Sequence, residues 1–151
     1  MYRVEVGSSV PFPAAYAREL QRAAVVALEH AGVAGQAELT VALTGEEEIR
    51  RLNREYRGVD GATDVLSFTM NDMLPDGGVY LGDVVIAMPI AEAQAKEQGH
   101  DLLAELSLLV IHGVLHLLGE DHVQADDRAA MWAKQSLLLA KLGLQAFPSE
   151  S

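Results

Sequence analysis

The segment His112-Gly113-Val114-Leu115-His116-Leu117-Leu118-Gly119-Glu120-Asp121-His122 holds three of the five histidines of the chain. Apolar Val110 and Ile111 lead into it, so its first half reads as a helix. Side chains four apart lie one above the other on a helix face, which stacks the His116 imidazole over that of His112. Gly119 can take the left-handed conformation that ends a helix. The chain then turns back and brings His122 round as a third ligand. One histidine in an apolar helix is ordinarily a hydrogen-bonded core residue. Three in this spacing, with a glycine between the second and third, make a metal site. Three imidazoles leave one position of a zinc-like ion open for water, as in catalytic rather than structural centres. The expected cofactor is one divalent metal ion, Zn2+ first, with nickel, copper and iron also suited to imidazole.

The spacing is that of metzincin zinc proteases, H-E-x-x-H-x-x-G-x-x-H, in which the glutamate takes the proton from the metal-bound water. Gly113 occupies the glutamate's place and has no side chain to do so. A metalloprotease-like hydrolase is one reading, favoured by the histidine spacing and opposed by Gly113. Glu120 and Asp121 precede the third histidine. They are either acceptors that orient a ligand imidazole or turn residues, and spacing leaves both open.

A second stretch, Arg50-Arg51-Leu52-Asn53-Arg54-Glu55-Tyr56-Arg57, carries four of the eleven basic residues. It reads as the later part of a helix capped by Thr44, with Glu46, Glu47 and Glu48 at its positive end. Pairing of Glu46 and Glu47 with Arg50 and Arg51 on a solvated face accounts for most of it. Arg57 lies beyond most of the helix, before a turn with Gly58 and Gly61. There its guanidinium can enter a cleft and bind phosphate.

These side chains need elements to hold them. Residues 2–6 alternate as a strand. The Pro-Phe-Pro of 11–13 opens a helix of about 18 residues that stops at Gly32. Residues 37–43 alternate again, and a helix follows over 46–56. Residues 64–68 and 81–87 read as strands. The turn-rich segment 71–78 between them reads as a loop, mobile and placed to cover the site. Pro89 begins a short helix to 98–99. Asp101 then caps the almost wholly apolar helix with the first two histidines, which must be buried on most sides. A last helix spans about residues 124–142. The expected fold class is α+β, a single domain over residues 1–151. It has one mixed sheet of about four strands against about five helices, with the histidine helix central.

The 151 residues suffice for one hydrophobic core. The chain has no cysteine, which excludes disulfides and thiolate metal sites. Residues 1–6 lack the order of a signal peptide. The longest uncharged apolar stretch, 106–118, is shorter than the roughly 20 residues that span a bilayer. A soluble, cytoplasmic protein without membrane contact is expected. The net charge of −11 argues against strong non-specific nucleic-acid binding. It leaves room for a local basic cleft of Arg50, Arg51, Arg54, Arg57 and the bound cation, with modest intrinsic RNA affinity.

Three ordered segments resemble the signatures of the YbeY family. They are Leu52-Asn53-x-x-Tyr56-Arg57-x-x-Asp60-x-x-Thr63-Asp64-Val65-Leu66-Ser67-Phe68, then Leu81-Gly82-Asp83-Val84-Val85-Ile86, then His112-Gly113-x-Leu115-His116-Leu117-x-Gly119-x-Asp121-His122. The resemblance implies a metal-dependent endoribonuclease acting on single-stranded RNA, and not on DNA. It implies a role in ribosomal RNA maturation, notably at the 3′ end of the small-subunit RNA, and in ribosome quality control. The small subunit or its proteins are then partners. It makes His112, His116 and His122 the metal ligands and Arg57 the functional arginine. Two departures are visible. Thr69 stands where many members have proline, at a position that reads as loop and apart from the chemistry, and Glu120 where tyrosine is frequent.

The remaining signature residues read two ways. Asn53, Thr63, Asp64 and Ser67 either shape the pocket or serve turns and caps. Asp83 is either a buried partner of a ligand histidine or an edge residue. Phosphodiester hydrolysis or transesterification is the leading chemistry, with no general base identified. A ribosome-assembly factor with a structural metal is the non-enzymatic alternative.

Overall fold

The structure is a computed structural model that describes residues 2–119 and 125–145. In chain order the elements are β1 (Tyr2–Ser8), α1 (Tyr16–His30), β2 (Ala37–Thr44), α2 (Glu46–Arg57), β3 (Val65–Met73), β4 (Val79–Ala87), α3 (Met88–Gln98), α4 (Leu102–Leu117) and α5 (Ala125–Lys141). The four strands form one sheet in the order β1-β2-β4-β3. β1–β2 and β2–β4 pair in parallel, and β3–β4 pair antiparallel. This is the expected α+β architecture with a mixed sheet.

Alternation along β2 sends Leu39, Val41 and Leu43 to one face, where all are buried. They join Val84 and Ile86 of β4, Leu20 and Leu28 of α1, and the apolar bulk of α4 in the main core. On the opposite face Ile49 of α2 covers Leu66, Val85 and Ala87 in a smaller cluster. Twelve of the sixteen residues of α4 are buried. The four that are not are Leu102, Leu103, His112 and His116, so beyond its first turn α4 opens to solvent only along the histidine stripe. Among the described residues no single helix is long and apolar enough to cross a membrane.

Several boundaries differ from the sequence reading. α1 starts at Tyr16, after the Pro-Phe-Pro segment, because a proline forces the residue before it out of the helical region. Thr44 is the last residue of β2 and accepts a hydrogen bond from the Ser9 hydroxyl (3.2 Å). The N-cap of α2 is therefore Gly45, with no side-chain cap. Asp101 occupies the N-cap of α4 but makes no capping bond through its side chain.

The largest difference is β3, which runs to Met73. A register shift between Thr69 and Asp72 absorbs the polar residues, with Asn71 at φ 53°, and pairing resumes at Asp72–Tyr80. The remaining turn closes with Leu74 N–H on the Gly78 carbonyl (2.8 Å), and Val79 N–H donates to Gln36 O (3.0 Å). The segment 71–78 is thus pinned to the start of β2 and does not cover the histidines.

A buried polar network ties α3, α4 and the entry to β3. The His100 ring Nε2 lies 2.6 Å from Glu105 Oε1, with both side chains almost fully buried. With its amide nitrogen turned towards the two carboxylates, Gln94 donates to Glu105 Oε2 (2.9 Å) and Asp64 Oδ2 (3.3 Å). Burial pushes the Glu105 carboxyl above the ordinary carboxylate range, the His100 hydrogen bond opposes this, and the nearby Asp64 charge adds to it. The folded carboxyl thus holds its proton to higher pH than the unfolded one. Its contribution to stability is fully present below the unfolded value and falls as pH rises towards the folded one. Glu105→Gln should remove this fall. Melting curves between about pH 5 and about pH 8 should show wild type losing Tm relative to the variant as pH rises. Parallel curves would contradict the assignment.

Candidate active site between α4 and the β3 edge

Arg57, Val65, Ser67, Thr69, His112 and His116 line one cleft of about 160 Å³. Helical spacing brings the His112 and His116 rings to 4.5 Å between centroids, tilted by 56°. β3 is an edge strand, and the alternation that buries Leu66 on the α2 side turns Val65, Ser67 and Thr69 towards α4. The Ser67 hydroxyl donates to the Gly113 carbonyl (3.1 Å), which ties this strand to the histidine helix.

Gly113 has a packing role. A Cβ there would lie 2.5 Å from Val84 Cγ1, 3.0 Å from Cγ2 and 3.3 Å from Ser67 Oγ. Carbon atoms do not approach to 2.5 Å, so α4 rests on the sheet only because this position has no side chain. The protease glutamate is excluded for the same reason. Gly119, at φ 91°, turns the chain out of α4 as expected.

The His112 ring is oriented from α5. Its Nδ1 lies 2.7 Å from Gln135 Oε1, and Gln135 is buried. An amide oxygen only accepts, so Nδ1 carries a proton; in the neutral ring this leaves the lone pair on Nε2, the tautomer a metal ligand needs. Among the described residues no group of three or more His, Cys, Asp or Glu side chains gathers to hold a metal. Glu120, Asp121 and His122 lie outside the described residues. Two neighbouring imidazoles, one with its tautomer fixed by an amide, fit a metal ligand set in donor chemistry.

Arg57 is the last residue of α2, and Gly58 ends the helix at φ 71°. The loop beyond is held from both sides. Buried Asn53 donates through Nδ2 to the Gly61 carbonyl (2.9 Å), and Arg50 Nε donates to Asp60 Oδ1 (3.0 Å). The four arginines of α2 do not share one basic cleft. Arg50 and Arg54 meet Asp60, and Arg51 meets Glu48 and Glu55. Those three line a separate groove with Glu47. Among the described residues Arg57 is the one arginine of α2 with no carboxylate partner, and it faces the histidines.

Residues 6–143 match the family described as Endoribonuclease YbeY. The chain belongs to the YbeY family. The Endoribonuclease YbeY of Moorella thermoacetica is 46% identical over 134 residues, covering 83% of this chain and 86% of the relative. That of Roseiflexus castenholzii is 44% identical over 131 residues, covering 83% and 82%. Among solved structures, a solution structure from Thermotoga maritima matches with a TM-score of 0.60 and 28% identity, covering 94% of this chain and 89% of that one.

Within the YbeY signatures the polar residues divide by face. Ser67 enters the cleft, whereas Asn53 braces the loop after Arg57. Thr63 donates to Asp64 Oδ1 (3.4 Å), and Asp64 belongs to the Gln94–Glu105 network. Asp83 pairs in register with Phe68 and lies on the sheet face away from α4. Its carboxylate accepts from the Tyr80 hydroxyl, which also lies 2.7 Å from Thr40 Oγ1. Burial and the bond to Asp83 push the Tyr80 phenol up to about 12, so it remains a donor. Gln135 and Val65 were missed from sequence, and Thr69, read as a loop residue apart from the chemistry, instead lies in β3 and lines the cleft. Gln135 had a faint signal, a polar residue at i+4 from Met131 and i−3 from Leu138 on the buried stripe of α5.

Proposed function

We propose that this endoribonuclease cuts single-stranded RNA in the cleft between α4 and the β3 edge. Arg57 is the observation that carries this reading: a guanidinium without a carboxylate partner among the described residues, aimed into the cleft that two imidazoles line. Such a group binds a phosphodiester through two parallel hydrogen bonds and stabilises the charge that builds on its oxygens. The two imidazoles and His122 would hold one divalent ion, zinc first. When bound, it supplies a Lewis acid and a water of lowered pKa. Ser67 and Gly113 hold β3 against α4, so Arg57 and the histidines keep their spacing across the cleft. The net charge of −11 and the pairing of the other α2 arginines support modest RNA affinity in the absence of a partner. The cellular role we assign is ribosomal RNA maturation in the cytoplasm, at the 3′ end of the small-subunit RNA, in contact with the small subunit or its proteins. To this we add a part in ribosome quality control, on the resemblance to the YbeY signatures alone.

Analysis of product ends tests the chemistry. A 2′,3′-cyclic phosphate marks attack by the RNA 2′-hydroxyl, and a 3′-hydroxyl with a 5′-phosphate marks attack by water. Products shortened one nucleotide at a time from an end would contradict internal cleavage.

Gln135 tests the ligand set by another route. Gln135→Leu removes the acceptor for His112 Nδ1–H and should weaken metal affinity by about 10- to 100-fold, read by competition with a chelator. Unchanged affinity would mean that the Gln135 amide does not orient a metal-binding imidazole.

A further inference from the structure

We infer that Tyr56 is a stacking platform for an unpaired base of the RNA strand, one nucleotide step from the phosphate held by Arg57; this rests on the endoribonuclease reading of the cleft. Tyr56 is 68% exposed, although an aromatic ring is ordinarily buried where the fold permits. It is in the last turn of α2, immediately before Arg57. Its ring meets Phe68 edge to face, with centroids 5.6 Å apart and planes at 74°. That contact fixes one side of the ring and is consistent with its high exposure. Phe68 lies between Ser67 and Thr69, which line the cleft. Tyr56 is thus on the far side of the β3 edge from the histidines, one strand's width away.

A strand of RNA crossing that edge would leave a phosphate at Arg57 and swing the adjoining base over the ring. Charge complementarity selects nucleic acid as the occupant. The guanidinium of the next residue, Arg57, has no carboxylate partner among the described residues. Val59, three residues further on, and Met70, two residues beyond Phe68, are also exposed apolar side chains. A stacked base needs an open π-face and a cation for the adjoining phosphate, and both are present. Double-stranded RNA, with its bases stacked on each other, cannot use this platform, so the ring also contributes preference for single strands.

The test is fluorescence anisotropy of a labelled single-stranded 2′-O-methyl oligoribonucleotide with the metal-loaded protein. Tyr56→Ala should raise Kd by about 5- to 150-fold. Tyr56→Phe should stay near wild type, because the ring face and not the hydroxyl makes the contact. On an oligomer of abasic residues with equal phosphate count, wild type and Tyr56→Ala should bind alike. Equal Kd for wild type and Tyr56→Ala on the base-bearing strand would overturn the inference, as expected if this patch receives a protein instead. An equal loss on the abasic strand would overturn it too. Cleavage of the unmodified oligomer is scored separately. A protein that shows the Tyr56 dependence without cutting contradicts the nuclease reading and not the platform.

Discussion

Arg57→Ala is expected to lower kcat/KM for RNA cleavage by about 10²- to 10³-fold, the range found when one preorganised donor to a developing oxyanion is removed. The loss should fall on kcat more than on KM, because charge on the phosphoryl oxygens grows towards the transition state. Folding should be unaffected. Arg57 is exposed and has no carboxylate partner among the described residues, so its removal orphans no buried charge. Arg57→Lys should recover only part of the rate, since a point charge replaces a planar fork. Steady-state kinetics on a labelled oligomer decides the matter. An Arg57→Ala enzyme with wild-type kcat/KM would take Arg57 out of the reaction.

Gly113→Glu would supply the carboxylate that a zinc protease carries at this position, and it should yield no peptidase. The new Cβ meets Val84 at 2.5 Å, and the carboxylate beyond it enters the contact between α4 and the sheet. Overpacking and an unpaired buried charge together should cost about 4 kcal/mol. For a chain of this size that lowers Tm by about 10 °C. The bond between Ser67 and the Gly113 carbonyl should break with it, so RNA cleavage is lost as well. Gly113→Ala isolates the packing part, and Val84→Ala in the same chain should recover part of its loss, as expected of neighbours in contact. Thermal melts of the three variants, beside a casein digestion, check this. A stable Gly113→Glu protein that digests casein would reverse the reading of the site.

The elements that sequence revealed best are those whose side chains repeat against a single buried face. β2 alternates cleanly because one side packs on the core, and α4 is apolar almost all round because α1, α3, α5 and the sheet enclose it. The extent of β3 was hidden because Asn71 and Asp72 are turn residues by type, and a bulge can carry such residues without ending a strand. The start of α1 was hidden by reading Pro11 as a helix opener when Phe12, held before Pro13, cannot be helical. In the site, His112, His116 and Arg57 stood out as chemical types at telling positions. Their setting did not. The packing of Gly113 on Val84, the reach of Gln135 from α5 and the capture of Asp60 by Arg50 and Arg54 all join residues distant in sequence. No local pattern encodes such contacts. Asp83 shows the limit well: beside a glycine it read as a partner of a ligand histidine or as an edge residue, yet strand alternation turns it to the face away from α4, and β4 lies inside the sheet.

The most direct test is cleavage of a labelled single-stranded RNA by wild type and by His116→Ala, purified identically, with bound metal measured on both. His116 is only half-buried, so its removal should leave Tm nearly unchanged while bound metal and cleavage are both lost. That outcome places the reaction at the metal site and excludes a ribonuclease contaminant. If His116→Ala instead cuts RNA as fast as wild type, the cleft is not the nuclease centre. If it unfolds and neither protein cuts, the metal is structural and the assembly-factor reading replaces the enzymatic one.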